Sequence, residues 1–171
     1  MLIQRNVNGS NFFNRSWAAF KVGFGDPSGN YWLGNDLLSQ LTVNNRYKLK
    51  FDLQSRSNTS NWYWAEYGTF IVQTEAYNYM MWASEYSGNT GDYFGFSYMF
   101  PAMFSTYDRE NDRAYRENCA VYGGGFWYGR QCNLVTVNGF HDNSTSFDWL
   151  NLSVSGGSQL QSTRMWLKCK Q

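Results

Sequence analysis

Histidine occurs once in this chain and no Cys-x-x-Cys pair occurs at all, which removes the ligands a zinc site needs. The lone histidine, in His141-Asp142, has no elbow serine near it in sequence, so no hydrolase triad can be assembled from pattern. Charge is scarce too: charged residues make up 16% and the formal net charge is +1. That leaves no strong field to attract nucleic acid or an anionic membrane. No run of 18 apolar residues occurs, so no membrane-spanning helix is expected. The opening Met1-Leu2-Ile3-Gln4-Arg5 lacks the apolar core of a signal peptide.

Aromatic residues are abundant instead, at 20%, with 8 Trp and 13 Tyr. They fill cores, but they also present flat apolar faces with a polar edge, as binding sites do. At 171 residues the chain is expected to form one domain with a substantial core. Asn-x-Ser/Thr acceptors at Asn8, Asn14, Asn58, Asn143 and Asn151 suit a secreted, extracellular glycoprotein. The three cysteines are Cys119, Cys132 and Cys169. The first two flank a Gly-rich loop that can fold back and bring them together; Cys169 is left over, either a buried free thiol or one with a partner outside the chain.

Periodicity places the regular elements mostly in the first half. Asn14 or Ser16 can cap a short helix through Trp17, Phe20 and Lys21, with Gly23 as its stop. Gly25 to Gly29 reads as a turn. Asn35 can cap a second helix carrying Leu37, Leu38 and Leu41. Tyr47, Leu49, Phe51 and Leu53 alternate with Lys48, Lys50 and Asp52, as in a half-buried strand. Further strands are expected from Trp64 to Glu75 and from Tyr77 to Ser84, and a closing strand with Met165, Leu167 and Cys169 on its apolar face. That alternation favours the buried thiol for Cys169. Gly123 to Gly129 is too Gly-rich for a strong element. Residues 1–84 therefore read as scaffold, and 85–171 as a loop-rich binding region plus the closing strand; such loops often carry function.

Asp108, Glu110 and Asp112 supply carboxylates at alternate positions. Hard oxygen ligands of this kind suit calcium. An EF-hand is excluded, because the sixth loop position is Arg113 rather than Gly and the twelfth is Cys119 rather than Glu. The competing reading is a solvated loop in which Arg109, Arg113 and Arg116 pair with the acids.

Several motifs resemble the fibrinogen-like domain of ficolins, tachylectins, angiopoietins, tenascins and fibrinogen chains. They include Phe13-Asn-Arg15, Trp17 through Phe20, Gly23-Phe-Gly25 and Tyr31-Trp-Leu-Gly-Asn35. Further on come Phe104-Ser-Thr106, Asn118-Cys-Ala120, Cys132 and Asn138-Gly139. The resemblance covers nearly the whole chain and implies an α+β fold with a central twisted antiparallel sheet, short helices and a long calcium- and ligand-binding loop region. Family members usually carry a preceding segment with its own disulfide, so the N-terminal subdomain is expected to be missing here.

The resemblance also implies sites. The family's calcium acids correspond to Glu110 and Asp112, with backbone carbonyls from near Ala114 and Arg116; Glu110 replaces an Asp, and the stretch to Cys119 is one residue longer. A disulfide Cys119–Cys132 and a cis Gln131–Cys132 bond would frame a pocket for acetylated sugars such as N-acetylglucosamine. Around it stand Tyr122, one residue out of register, and Trp149. Asn133 takes the place of the family's usual histidine, and His141 that of a tyrosine. The implied protein is a non-enzymatic pattern-recognition lectin of innate immunity, binding microbial glycans. Weak single-site affinity calls for several domains on one assembly. The alternative is a protein-interaction module like the angiopoietin, tenascin and fibrinogen members.

Overall fold

Seven antiparallel strands form the main sheet, and the chain's last strand lies in its middle. The structure is a computed structural model and describes residues 1–95, 102–115, 117–132, 134–141, 147–149, 152 and 159–170. Strand β1 (Leu2–Asn6) leads into helix α1 (Trp17–Val22), the short strands β2 (Phe24–Gly25) and β3 (Tyr31–Trp32), and helix α2 (Asn35–Thr42). Then come β4 (Tyr47–Ser55), β5 (Trp62–Val72) and β6 (Met81–Gly88). A second, two-stranded sheet pairs β7 (Phe104–Ser105) with β8 (Phe126–Trp127), with helix α3 (Ala120–Gly123) between them in sequence. Strand β9 (Leu160–Cys169) closes the chain.

The sheet order is β2-β3-β1-β9-β4-β5-β6. Strand β9 pairs with β1 on one side and β4 on the other, so the long segment after β6 is an excursion that returns to the centre of the sheet. The fold is a mostly antiparallel sheet with few, short helices.

The alternation in β4 does what the sequence leads one to expect: Leu49, Phe51 and Leu53 are fully buried, while Lys48, Lys50 and Asp52 face outward. Helix α1 is capped at Ser16, whose hydroxyl accepts from the Ala19 N–H, and stops at Gly23 with φ 93°. In α2 the cap residue is Gly34, not Asn35; Asn35 instead accepts from the Trp32 indole N–H at 3.0 Å. Leu38 is buried but Leu37 faces out.

Two expectations shift, and two strands go unmarked in the sequence. Strand β5 ends at Val72 and β6 begins at Met81, rather than running through Glu75 and starting at Tyr77. Between them Asn78 and Tyr79 both take left-handed backbone, φ 52° and 47°, which no strand accommodates. The turn drives the Tyr79 ring into the core against Trp17. The Gly-rich stretch, expected to hold no strong element, carries only the two-residue β8, beside which Gly125 lets the chain press against Phe20: a Cβ there would lie 2.3 Å from that ring. Cys169 is exposed rather than buried, since β9 runs past the edge of the covered core at its last residues. Strand β1 goes unmarked by periodicity: a bulge between Leu2 and Gln4 breaks the alternation, and its inward residues Gln4 and Asn6 are polar.

Those two polar residues fasten the loop region to the sheet. The buried Gln4 amide donates to the Val137 carbonyl, Asn138 Oδ1 and Thr163 Oγ1, and the Asn6 amide donates to the Gly139 carbonyl. Asn138 in turn donates to the Gly125 carbonyl at 2.6 Å. Buried polar groups are retained when every one is bonded, and here they set where the loops sit.

Candidate functional site

The segment from β7 to the second cysteine closes on itself around Asp112. Cys119 and Cys132 are joined in a disulfide. Asp112 Oδ2 accepts from the Cys119 N–H at 3.0 Å, and its Oδ1 accepts from the Ala114 N–H at 3.0 Å. Asn111 donates to the Phe104 carbonyl and Asn118 to the Thr106 carbonyl, which tie the loop to β7. The Arg113 N–H reaches the Gly129 carbonyl just past β8. The acidic loop and the disulfide are therefore one unit.

Burial holds the Asp112 carboxyl above the usual carboxylate range; the two N–H donors pull it down, and the nearby Glu110 and Glu117 push it up again. Glu117 is an acidic neighbour that the alternate-position pattern does not pick out. Among the described ion pairs none joins Glu110, Asp112 or Glu117 to an arginine. Arg109 is turned away: its guanidinium lies 3.9 Å from the Trp17 ring centroid, donates to Asn78 and sits 3.7 Å from Glu75. The pairing of Arg109 with the loop acids therefore does not form. Among the described residues no group of three or more His, Cys, Asp or Glu converges, so carbonyl oxygens would have to complete any cation site. Mixed carboxylate and carbonyl oxygen donors are the kind that calcium takes.

Asp108 does not join them. Its Oδ1 accepts from the Trp17 N–H at 2.9 Å and from the Thr106 hydroxyl at 2.7 Å, so it caps the start of α1. Ala114 lies in the loop, half-buried; Arg116 and Asn133 lie outside the described residues.

Of the aromatic candidates, Tyr122 is 45% exposed. Trp127 and Tyr128 are buried; the Trp127 indole donates to the Tyr79 carbonyl and the Tyr128 hydroxyl to the Gly124 carbonyl. Gln131 is exposed and Cys132 half-buried. Trp149 is a core residue rather than a pocket wall: it has no exposed surface, packs edge-on against Phe51 at 5.0 Å and donates to the Gly91 carbonyl. His141 is bound elsewhere. Its N–H donates to the Gly9 carbonyl, its ring packs on Phe147, and its Nδ1 lies 2.8 Å from an Arg56 nitrogen. Arginine only donates, so Nδ1 accepts and Nε2 carries the proton.

What the sequence does not mark is a surface beside the acidic loop. A cleft of ≈ 430 Å³ is lined by Asn14, Tyr107 and Val121. Tyr107 is 48% exposed, and Tyr115, in the same loop, 82%. The only signal for Tyr107 and Tyr115 was the overall excess of aromatics.

Burial and the Arg56 charge both hold His141 below its ordinary value. A histidine depressed on folding supports the native state above its unfolded value of about 6.5, and that support is lost as pH falls through the lower folded value. Denaturant melts at pH 7.5 and pH 5 are expected to show wild type losing more stability than His141→Gln.

The family described as fibrinogen beta and gamma chains, C-terminal globular domain, matches residues 1–170. The chain belongs to this family. Its fold superposes on the fibrinogen-like globe domain of human ANGPTL2 with a TM-score of 0.86 at 31% identity, covering 99% of this chain and 80% of that one. Protein scabrous of Drosophila melanogaster is 33% identical over 97% of this chain and 20% of its own length. Techylectin-5A of Tachypleus tridentatus is 36% identical over 80% of this chain and 45% of its own. This chain thus spans a fifth to under half of the length of these two curated relatives. Tenascin and angiopoietin chains are also similar to it. Members of the family are generally binding modules rather than enzymes. Among the described residues no helix is long and apolar enough to cross a membrane.

Proposed function

We propose that this domain is a non-enzymatic recognition module that binds acetylated sugars of microbial surfaces in calcium, as part of a secreted protein. The observation that carries the reading is the Asp112 loop: a half-buried carboxylate, the acidic neighbours Glu110 and Glu117, and a bond directly to the disulfide cysteine. Glu110 and Asp112 would hold the ion with carbonyls near Ala114 and Arg116. A bound cation would offset the repulsion among the acids and stiffen the segment carrying Tyr107, Tyr115 and Tyr122. The exposed rings give an apolar face for an acetyl methyl. The similarity to Techylectin-5A supports a carbohydrate ligand. Exposure of Asn8, Asn14 and Asn58 fits a glycoprotein of the secretory route.

The second reading is a protein-interaction module, supported by the similarity to tenascin and angiopoietin-4. The burial of Trp149 and the remote position of His141 favour it, because they take two expected contacts away from a sugar pocket. A glycan array probed in calcium separates the two. Retention on acetylated glycans above their deacetylated counterparts supports the lectin; a blank array beside capture of one defined receptor supports the alternative.

A further inference from the structure

On the outer face of the main sheet, away from the loop region, two arginines stand directly opposite each other. Arg5 of β1 pairs in register with Arg164 of β9. Their inward neighbours Gln4 and Thr163 bond to the loop carbonyl of Val137, so Arg5 and Arg164 face the other way. Like charges directly opposite in an antiparallel pair repel. Among the described ion pairs neither guanidinium has a carboxylate partner. The nearest acids on the face are otherwise engaged. Asp52, opposite Arg164 in β4, takes Lys50 at 2.6 Å and the Trp166 indole N–H at 2.8 Å. Glu66 takes Lys48 and Lys168. Asp26 accepts from Ser28, while Arg5 donates to the Pro27 carbonyl beside it.

The two arginines line a cleft of ≈ 250 Å³ together with Val7, Gln54, Trp62 and Ser162. Ser162 donates to Gln54 at 2.8 Å, giving a polar floor. The Arg164 guanidinium sits 4.9 Å from the Trp62 ring centroid, which holds its fork in place. Trp62 and Trp64 are 40% and 37% exposed and lie two residues apart in β5, on one face.

We propose that this cleft is a separate ligand site, for an anionic saccharide. The guanidinium forks take a carboxylate or sulfate bidentately. The Trp62 indole stacks on the apolar face of a sugar ring, and Gln54 and Ser162 meet its hydroxyls. The cleft is smaller than the roughly 300–1,000 Å³ of drug-sized pockets, which suits one acidic sugar unit of an extended chain. A polyphosphate is disfavoured, because Asp52 and Glu66 share the face and the chain's net charge is only +1. The site does not depend on calcium or on the Asp112 loop.

The test is calorimetric titration of the whole chain in EDTA with three six-sugar probes: sulfated maltohexaose, an oligogalacturonate and neutral maltohexaose. None carries an acetyl group, so a failure of the lectin reading leaves this result unaffected. Saturable binding of one acidic probe, at least about tenfold tighter than the neutral one, is expected, since a charge-assisted contact contributes about that factor. Which acidic probe binds distinguishes sulfate from carboxylate recognition. Arg5→Gln, Arg164→Gln and Trp62→Ala should each weaken binding about tenfold and Arg164→Lys less, while Lys168→Gln leaves it within about twofold. No binding of either acidic probe, equal binding of the neutral one, or an equal loss in Lys168→Gln would overturn the proposal.

Discussion

Replacing Trp127 by alanine is expected to cost about 3–5 kcal/mol, the usual range for emptying a buried tryptophan site. Trp127 has no exposed surface and is one of the residues through which the small sheet leans on the large one. Its ring meets Phe104 at 5.1 Å, Phe126 at 5.3 Å, Trp32 at 6.0 Å and Phe70 at 6.1 Å. Its N–H also donates to the Tyr79 carbonyl at 2.7 Å, at a residue with left-handed backbone that surrounding contacts must hold. Alanine removes the ring contacts and leaves that buried carbonyl unpaired. For a chain of this size each kcal/mol moves the midpoint by roughly 2–4 °C, so a fall of roughly 6–20 °C is expected. Trp127→Phe keeps most of the ring and loses the hydrogen bond, at about 1–3 kcal/mol. A calorimetric scan of both variants checks the order. Equal melting points for wild type and Trp127→Ala would mean that the small sheet does not rest on the large one.

Removing the disulfide as Cys119→Ser with Cys132→Ser is the second large effect. The cysteines are 13 residues apart, and closing a loop of that length stabilises by about 3 kcal/mol in the chain-entropy account. The consequence extends beyond stability. The Cys119 N–H holds Asp112, and the Cys119 carbonyl receives the Gly123 N–H of α3. Loosening this turn should free the Asp112 loop, so the double variant is expected to lose calcium-dependent stabilisation along with its lower midpoint. Thermal melts with and without calcium, in wild type and double variant, read both effects. A variant that keeps the full calcium response would separate the disulfide from the acidic loop.

How much of this could be read from residues alone depended on whether each residue's neighbours were local. Strand β4 and helix α1 were legible because alternation and capping are properties of adjacent positions. Strand β1 was not, because its inward Gln4 and Asn6 look like surface residues until the loop carbonyls they bond are in place. The turn at Asn78 and Tyr79 stayed hidden for a similar reason: the partner of its left-handed pair is a core that lies elsewhere in sequence. Family motifs indicated the Cys119–Cys132 bond, which the structure contains. The acids divided: Asp112 stands with the disulfide, while Asp108 serves a helix 91 residues away. Trp149 carried no mark of its burial, since an indole that fills a core and one that lines a pocket are the same letter. The Arg5–Arg164 pair was illegible because only the strand register brings the two together.

If the Asp112 loop takes calcium and thereby supports binding of an acetylated sugar, the ion and the sugar must bind together. The most direct test is titration of wild type and Asp112→Asn with N-acetylglucosamine, followed by tryptophan fluorescence, in calcium and again in EDTA. Saturable binding to wild type in calcium, loss of that binding in EDTA, and little binding to Asp112→Asn in either are expected. Binding that persists unchanged in EDTA, or no binding in calcium, would contradict that coupling.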